Sequence, residues 1–327
     1  MDILICGSVA FDYLMTFPGY FRDHILAEHL DKISLSFLVD SMKRHRGGIA
    51  PNIAYTIAMF GGHPRLWATV GDDFEEYRTW LENIGVDTSG ARLIPGEFTA
   101  SFFVNTDRAN SQIASFYPGA MAFAAQMSLH ELKQDLPDLV VVSPNDPAAM
   151  VLFPQECQEL GVPYIYDPSQ QIVRLSPDQL RDGILGAAAL FVNEYESALI
   201  EKTTGLRPSD ILESQAADDN KFVIVTRGEH GTLIYSRSDI IEVSVVKPEK
   251  IVDPTGVGDA FRGGFLTGYS HGFSFKTCGC IGALAATYCL EVDSPQGHSF
   301  TVQEFVNRYR QHFDDEGKLD ELLEERG

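Results

Sequence analysis

Cations are scarce in this chain. Lys and Arg number 25 against 46 Asp and Glu, giving a formal net charge of −21, and such a field repels phosphate backbones and anionic membrane surfaces. Nucleic acid and membrane are therefore not expected as partners. Cysteine is sparse too: Cys6, Cys157, Cys278, Cys280 and Cys289 are an odd set without the paired spacing of a disulfide framework or a zinc site. Reduced thiols in a cytoplasmic setting are the expectation. The N-terminal MDILICGSVAFDYL has an acid at position 2 and only a short apolar run, so it reads as a first strand and not as a signal peptide or membrane span. No G-x-x-x-x-G-K-[ST] occurs, so a bound phosphate would need a device other than a P-loop.

Three suggestive stretches fail on inspection. GYSHG (Gly268–Gly272) has the spacing of a nucleophile elbow, but no strand precedes it; Ser270 reads as a surface residue and Gly272 as a helix C-cap. In HILAEH the helical pitch would turn His24 and His29 roughly 140° apart, so with Glu28 they do not share a metal-binding face. Cys278 and Cys280 lie in an apolar helical run, where small buried residues are expected.

What is present is a βα rhythm. ILICGSV, RLWATVGD, LVVVSP, PYIYDP, ALFVNE and FVIVTRG are short apolar runs, each read as leading into a stretch of helical periodicity. The pattern predicts an α/β fold: a doubly wound, mostly parallel central sheet with helices on both faces. Two segments interrupt it. Residues 11–46 are rich in aromatics, and FTASFFVNTDRANSQIASFYPG reads as two strands about a turn at Asp107–Asn110. Together, about 11–46 and 91–119 are expected to form a small β lid on a single 1–327 domain, an ordinary edge hairpin being the alternative. DDEGKLDELLEERG at the C-terminal end reads as a solvated helix or tail.

The densest chemistry lies in DPTGVGDAFRGGF (Asp253–Phe265). Gly256 and Gly258 permit backbone angles that aim successive N–H groups at one point, and the following helix adds its positive end. Such a nest suits a phosphoryl oxygen. Asp259 beside it either accepts a proton from an attacking hydroxyl or simply caps the helix.

This stretch resembles the D-T-T-G-A-G-D signature of the ribokinase-like (PfkB) kinase family, and the resemblance runs from about Ile3 to Phe305. The glycine-rich GGIAPNIAYTIAMFGGHPRLWATVGDD (Gly47–Asp73) is similar to the family's earlier signature. Asn193 to Glu196 matches N-x-x-E, and Thr226, Gly228 and Gly231 match T-x-G-x-x-G. Pro254 and Val257 depart from the family pattern, but a nest of backbone N–H groups loses nothing by either change.

The resemblance implies an ATP-dependent phosphotransferase. Asp259 would be the base, and Gly256, Val257 and Gly258 would hold the transferred group. Asn193 and Glu196 would organise Mg²⁺ through water; a plain helix N-terminus with an acid in its first turn remains the alternative. Thr226, Arg227, Gly228, Gly231 and Thr255 would line the nucleotide, although Arg227 and Gly228 also fit a strand-ending turn. Asp253 and Thr255, with carbonyls near Ser294, could hold a monovalent cation such as K⁺. On the acceptor side Asp12 would bind a diol, with Gly47, Gly48 and Asn52 beside it; Gly47 and Gly48 equally fit a loop before a helix with Pro51 in its first turn.

For the acceptor, Phe37, Phe102, Phe103, Phe116 and Tyr117 offer faces for a nucleobase or merely pack the lid. SFYPGAM (Ser115–Met121) is similar to a segment of adenosine and nucleoside kinases. A nucleoside, foremost adenosine at its 5′-hydroxyl, is expected, with a sugar as the alternative and a non-catalytic sensor as a second class. Lys43, Arg44 and Arg46 are the local cations that a sugar phosphate would need, or else a solvated basic face. The chain is expected to be a monomer or homodimer.

Overall fold

The computed structural model describes residues 1–25, 32, 34–213, 220–315 and 317–324. In chain order the elements are β1 (Ile3–Cys6), β2 (Ala10–Thr16), β3 (Ser41–Gly47), α1 (Ile49–Met59), β4 (Arg65–Val70), α2 (Glu75–Asn83) and β5 (Ala91–Leu93). Next come β6 (Ala100–Thr106), β7 (Gln112–Tyr117), β8 (Leu139–Val142), α3 (Pro147–Leu160), β9 (Tyr164–Tyr166), α4 (Pro177–Gly186), β10 (Ala189–Asn193), α5 (Glu194–Thr204) and α6 (Pro208–Glu213). The chain finishes through β11 (Phe222–Thr226), β12 (Thr232–Ser236), β13 (Ile240–Val243), α7 (Val257–Ser270), α8 (Phe275–Leu290), α9 (Val302–Tyr309) and α10 (Glu321–Glu324).

Among the described residues the large sheet has the order β13-β12-β11-β10-β9-β8-β1-β4-β5. From β11 to β5 every neighbouring pair is parallel, while β12 and β13 add an antiparallel edge. Side chains alternate between two cores, as a strand period of two requires. Ile3, Ile5, Phe191 and Phe222 face α1, α7, α8 and α9, whereas Leu4, Cys6, Leu190 and Val223 face α3, α4, α5 and α6. The expected doubly wound sheet is present. Two runs depart from the βα rhythm: β1 continues into β2 before any helix, and β11 turns back as the hairpin β12–β13.

The second sheet has the order β3-β2-β6-β7, with β2 and β6 parallel and the outer pairs antiparallel. Its β6–β7 turn is closed by Asp107, whose carboxylate accepts N–H bonds from Ala109 at 2.8 Å, Ser111 at 2.9 Å and Phe21 at 2.9 Å. Asn110 supplies the positive φ, 60°. Within 91–119, Ala91–Leu93 pairs with β4 in the large sheet, so the small sheet takes its share from Ala100 onward. Ion pairs tie it to the body: Arg44 and Arg46 to Glu76 at 2.6 and 3.0 Å, and Lys43 to Asp293.

The rejected serine and cysteine motifs fall where expected. All five cysteines are free and buried. Ser270 closes α7, donating its hydroxyl to the Thr267 carbonyl at 2.8 Å, and Gly272 follows at φ 72°. His24 packs edge-on against Phe17; Glu28 and His29 lie outside the described residues. The C-terminal segment is anchored more firmly than a solvated tail: Leu319 and Leu322 enter the core, and Arg310 pairs with Asp315 at 2.8 Å. Its residues 316 and 325–327 are outside the described set. No helix among the described residues is long and apolar enough to cross a membrane.

Candidate active site

The turn before α7 is held by Asp253, whose Oδ1 accepts the Thr255 N–H at 2.8 Å. Gly256 then takes φ 78°, and a Cβ there would stand 2.5 Å from Pro295 Cβ, so backbone angle and space both demand glycine. The first amides of a helix have no acceptor within it. Val257 spends its N–H on the Pro254 carbonyl at a long 3.4 Å, and the amides of Gly256 and Gly258 have no acceptor among the described residues. The expected nest would draw on these amides, with Thr255 exposed beside them.

Asp259 sits in the first turn of α7, partly buried. Its Oδ2 accepts from Asn52 Nδ2 at 2.9 Å. The two meet because α1 and α7 pack tightly: a Cβ on Gly263 would lie 2.5 Å from Thr56 Cβ and 2.8 Å from the Ile53 carbonyl. The direction of the Asn52 bond is fixed from outside. Trp80 Nε1, which can only donate, bonds Gln296 Oε1 at 3.2 Å; Gln296 Nε2 therefore donates, reaching Asn52 Oδ1 at 2.9 Å and Tyr77 Oη. Tyr77 in turn donates to the Gly47 carbonyl at 3.0 Å. Asn52, expected to contact an acceptor molecule, has both ends of its amide committed within the protein.

Burial pushes Asp259 up to about 6, against the pull of Arg262 and the Asn52 bond and with help from the charges of Asp12 and Glu196. Arg262 lies one turn further along α7. Its Nη2 donates to Asp167 Oδ1 at 3.0 Å and its Nε lies 2.5 Å from Oδ2 as an ion pair without hydrogen-bond geometry, and both side chains are nearly or fully buried. Burial, with Glu196 and Asp259 nearby, raises Asp167 to about 7 although Arg262 opposes the shift. For Arg262, burial weakens the charge but Asp167 and Asp259 outweigh it, so the guanidinium stays cationic.

Asn193 and Glu196 form a reciprocal cap on α5: Asn193 Oδ1 accepts the Glu196 N–H at 2.8 Å, and Glu196 Oε2 accepts the Asn193 N–H at 2.8 Å. Ser169 donates to Glu196 Oε1 at 3.1 Å. The helix-cap alternative is thus realised at this pair. No group of three or more His, Cys, Asp or Glu among the described residues could hold a metal ion. Such a donor set fits Mg²⁺ only where substrate phosphates and waters supply most of the coordination.

Asp12 lies on β2, pushed up to about 6 by burial and then by the charge of Asp253. Gly47 leaves it room: a Cβ on Gly47 would come within 2.4 Å of Asp12 Oδ2. Gly48, at φ 93°, caps α1 against the Ser8–Ala10 backbone. Cross-strand register places Asp12, Phe102 and Phe116 in one row, and adjacent residues in a row share a face. Phe102 is partly buried and Phe116 is 49% exposed, so this face offers open ring surface beside a carboxylate. The other aromatics are occupied. Phe103 stacks on Tyr13 at 4.8 Å in the neighbouring row, Phe37 packs with Phe17 and Phe21, and Tyr117 donates to Glu97.

On the nucleotide side, Thr226 ends β11, and Arg227 to Gly231 make the turn into β12. A Cβ on Gly231 would lie 2.2 Å from the Val243 carbonyl, whereas one on Gly228 would meet nothing. Arg227 Nη2 bonds Glu242 at 2.8 Å and the His230 carbonyl at 3.0 Å, which is the strand-ending turn. Lys43, Arg44 and Arg46 are likewise paired with carboxylates, so they do not form a free cationic cluster.

Sequence reasoning passed over Asp167, Arg262, Gln296, Trp80 and Tyr77. Asp167 had a signal, a carboxylate at the end of β9, and so did Arg262, three residues beyond Asp259 on the same helix face. Gln296 had none.

An open parallel sheet with a small four-stranded sheet beside it, and unpaired amides and a carboxylate at the start of one helix, suit a phosphotransferase that uses an alcohol as acceptor. Residues 9–299 match the model of the pfkB family carbohydrate kinases, and the chain belongs to that family. It is similar to a nucleoside kinase of Burkholderia thailandensis solved in complex with inosine, at 37% identity and TM-score 0.83, over 95% of this chain and 98% of that one. The same protein was solved with ADP-inosine, at TM-score 0.81. A nucleoside kinase of Methanothermobacter thermautotrophicus is 30% identical over 313 residues, 94% of this chain and 95% of the relative.

Proposed function

We propose that the protein transfers the γ-phosphate of ATP to the 5′-hydroxyl of a nucleoside, adenosine foremost. One observation carries the reading: Asp259 stands beside an amide nest and within electrostatic reach of Asp12, which shares its sheet face with Phe102 and Phe116. The inosine and ADP-inosine complexes of the Burkholderia neighbour support a purine nucleoside.

Asp12 accepts the adjacent ribose hydroxyls, and Phe102 and Phe116 give the base a stacking surface. Asp259 accepts the proton of the 5′-hydroxyl as that oxygen attacks the γ-phosphorus. The bond to the β–γ bridging oxygen breaks, and ADP leaves with the electron pair. The amides of Gly256, Val257 and Gly258 meet the charge on the phosphoryl oxygens. Thr226, Gly228, Gly231 and Thr255 lie along the nucleotide. Asn193 and Glu196 would hold Mg²⁺ through water, and the ion would neutralise charge on the phosphates. Asp253, Thr255 and the carbonyls near Ser294 would be the groups to hold a monovalent cation such as K⁺. Closure of the small sheet as a lid keeps water from taking the phosphoryl group.

The test is ADP release by the purified protein with adenosine, inosine, other nucleosides, ribose, fructose, fructose phosphates and no acceptor. Fastest turnover on adenosine, with little in the absence of acceptor, is expected. A sugar outpacing every nucleoside would overturn the substrate class; rapid turnover without acceptor would overturn the lid.

A further inference from the structure

Arg262 has a role that the base, the nest and the acceptor face leave unassigned. Side chains on a helix lean toward its N-terminus and cover the residue four positions back. For Arg262 that residue is Gly258, and a Cβ built there would lie 2.8 Å from Arg262 Nη1. The guanidinium cannot swing freely, because Nη2 donates to Asp167 Oδ1 and the buried Nε edge is ion-paired with the same carboxylate. Nη1 is left at the nest without a hydrogen-bond acceptor among the described residues. Other cations around the site are spent elsewhere: Lys43 on Asp293, Arg44 and Arg46 on Glu76, Arg227 on Glu242.

We propose that Arg262 is a further catalytic residue, whose Nη1 donates to an oxygen of the phosphoryl group in transit while Asp167 holds the rest of the fork in place. The proposal rests on reading the site as that of a kinase. In phosphoryl transfer the charge spreads over three equatorial oxygens, and a planar donor already oriented and desolvated meets it without reorganisation. Arg262 keeps its proton throughout; the hydroxyl proton goes to Asp259 and the electron pair leaves on ADP. Gly258 then serves two ends, an amide for the nest and the empty space through which Nη1 reaches it. The same cation also favours the ionised form of Asp259, opposing the effect of burial.

Removing one member of a buried ion pair strands the other, so Arg262→Gln alone risks misfolding. The pair Arg262→Gln with Asp167→Asn replaces two charges by two neutral amides and keeps the fold testable. Thermal melting of this double variant near the native value is expected, with kcat down about 100-fold, nucleoside KM within a few-fold, and the acid limb of its pH–rate profile moved up. A double variant with kcat within a few-fold of native would overturn the proposal. A second arm needs no acceptor: ADP with aluminium fluoride in magnesium buffer, a mimic of the phosphoryl group in flight, should raise the melting temperature of the native protein far more than that of the double variant. Equal stabilisation contradicts the role of Arg262 even if no nucleoside is turned over, an outcome that would instead sink the substrate reading.

Discussion

The helix-lined floor and the small sheet beside it hold their acids in opposite ways. Asp259 is buttressed by a polarised chain of side chains running from Trp80 through Gln296 to Asn52, and its neighbour Arg262 is clamped by Asp167. Asp12 has none of this support. It stands on a sheet joined to the body by surface ion pairs, with Gly47 giving way to its carboxylate and a half-exposed Phe116 in its row. Both carboxyls rise to about 6, so burial alone does not separate them. The difference is rigidity: where chemistry needs a fixed geometry the carboxylate is held by a chain of side-chain hydrogen bonds, and where a ligand must be admitted rings and oxygens are left open.

Substitutions on the two sides should therefore differ in kind. Asn52→Ala removes the donor to Asp259 and strands Gln296; we expect kcat to fall about 10- to 100-fold with nucleoside KM little changed, read by steady-state kinetics. A change confined to KM would erase the distinction between floor and sheet. Phe116→Ala should do the reverse, raising nucleoside KM about tenfold, on the order of 1 kcal/mol of stacking, while ATP KM holds. Smallest of all is Glu76→Gln. Its carboxylate is 63% exposed and pairs with Arg44 and Arg46, so the melting free energy should drop by no more than about 1 kcal/mol. A larger loss would mean that the small sheet is held as rigidly as the floor.

Much of this architecture was legible. The short apolar runs marked β1, β4, β8, β9, β10 and β11, and the Asp107 turn marked β6 and β7. The hairpin after β11 was not, because IIEV and LIYS are as short and apolar as a helix start, and only the tight approach of Gly231 to β13 decides the turn. At the site, glycines and acids announced themselves through local spacing. The partners did not: Arg262 meets Asp167 across 95 positions and Gln296 meets Asn52 across 244, and no local pattern encodes a contact made by folding. Asn52 shows the limit, since its place in the sequence suggested a ligand contact but gave no sign of its bonds to Asp259 and Gln296.

The central claim is that Asp259 is the base of a phosphoryl transfer. Its most direct test is the rate of ADP release with a saturating nucleoside, across pH, for the native protein and for Asp259→Asn. A carboxyl raised to about 6 is ionised above that pH, so native kcat should be level near pH 7 to 8 and fall about tenfold per pH unit below 6. The Asn variant should lose about 10²- to 10⁴-fold in kcat and lose that acid limb. An Asn variant within a few-fold of native, with the limb intact, would contradict the account.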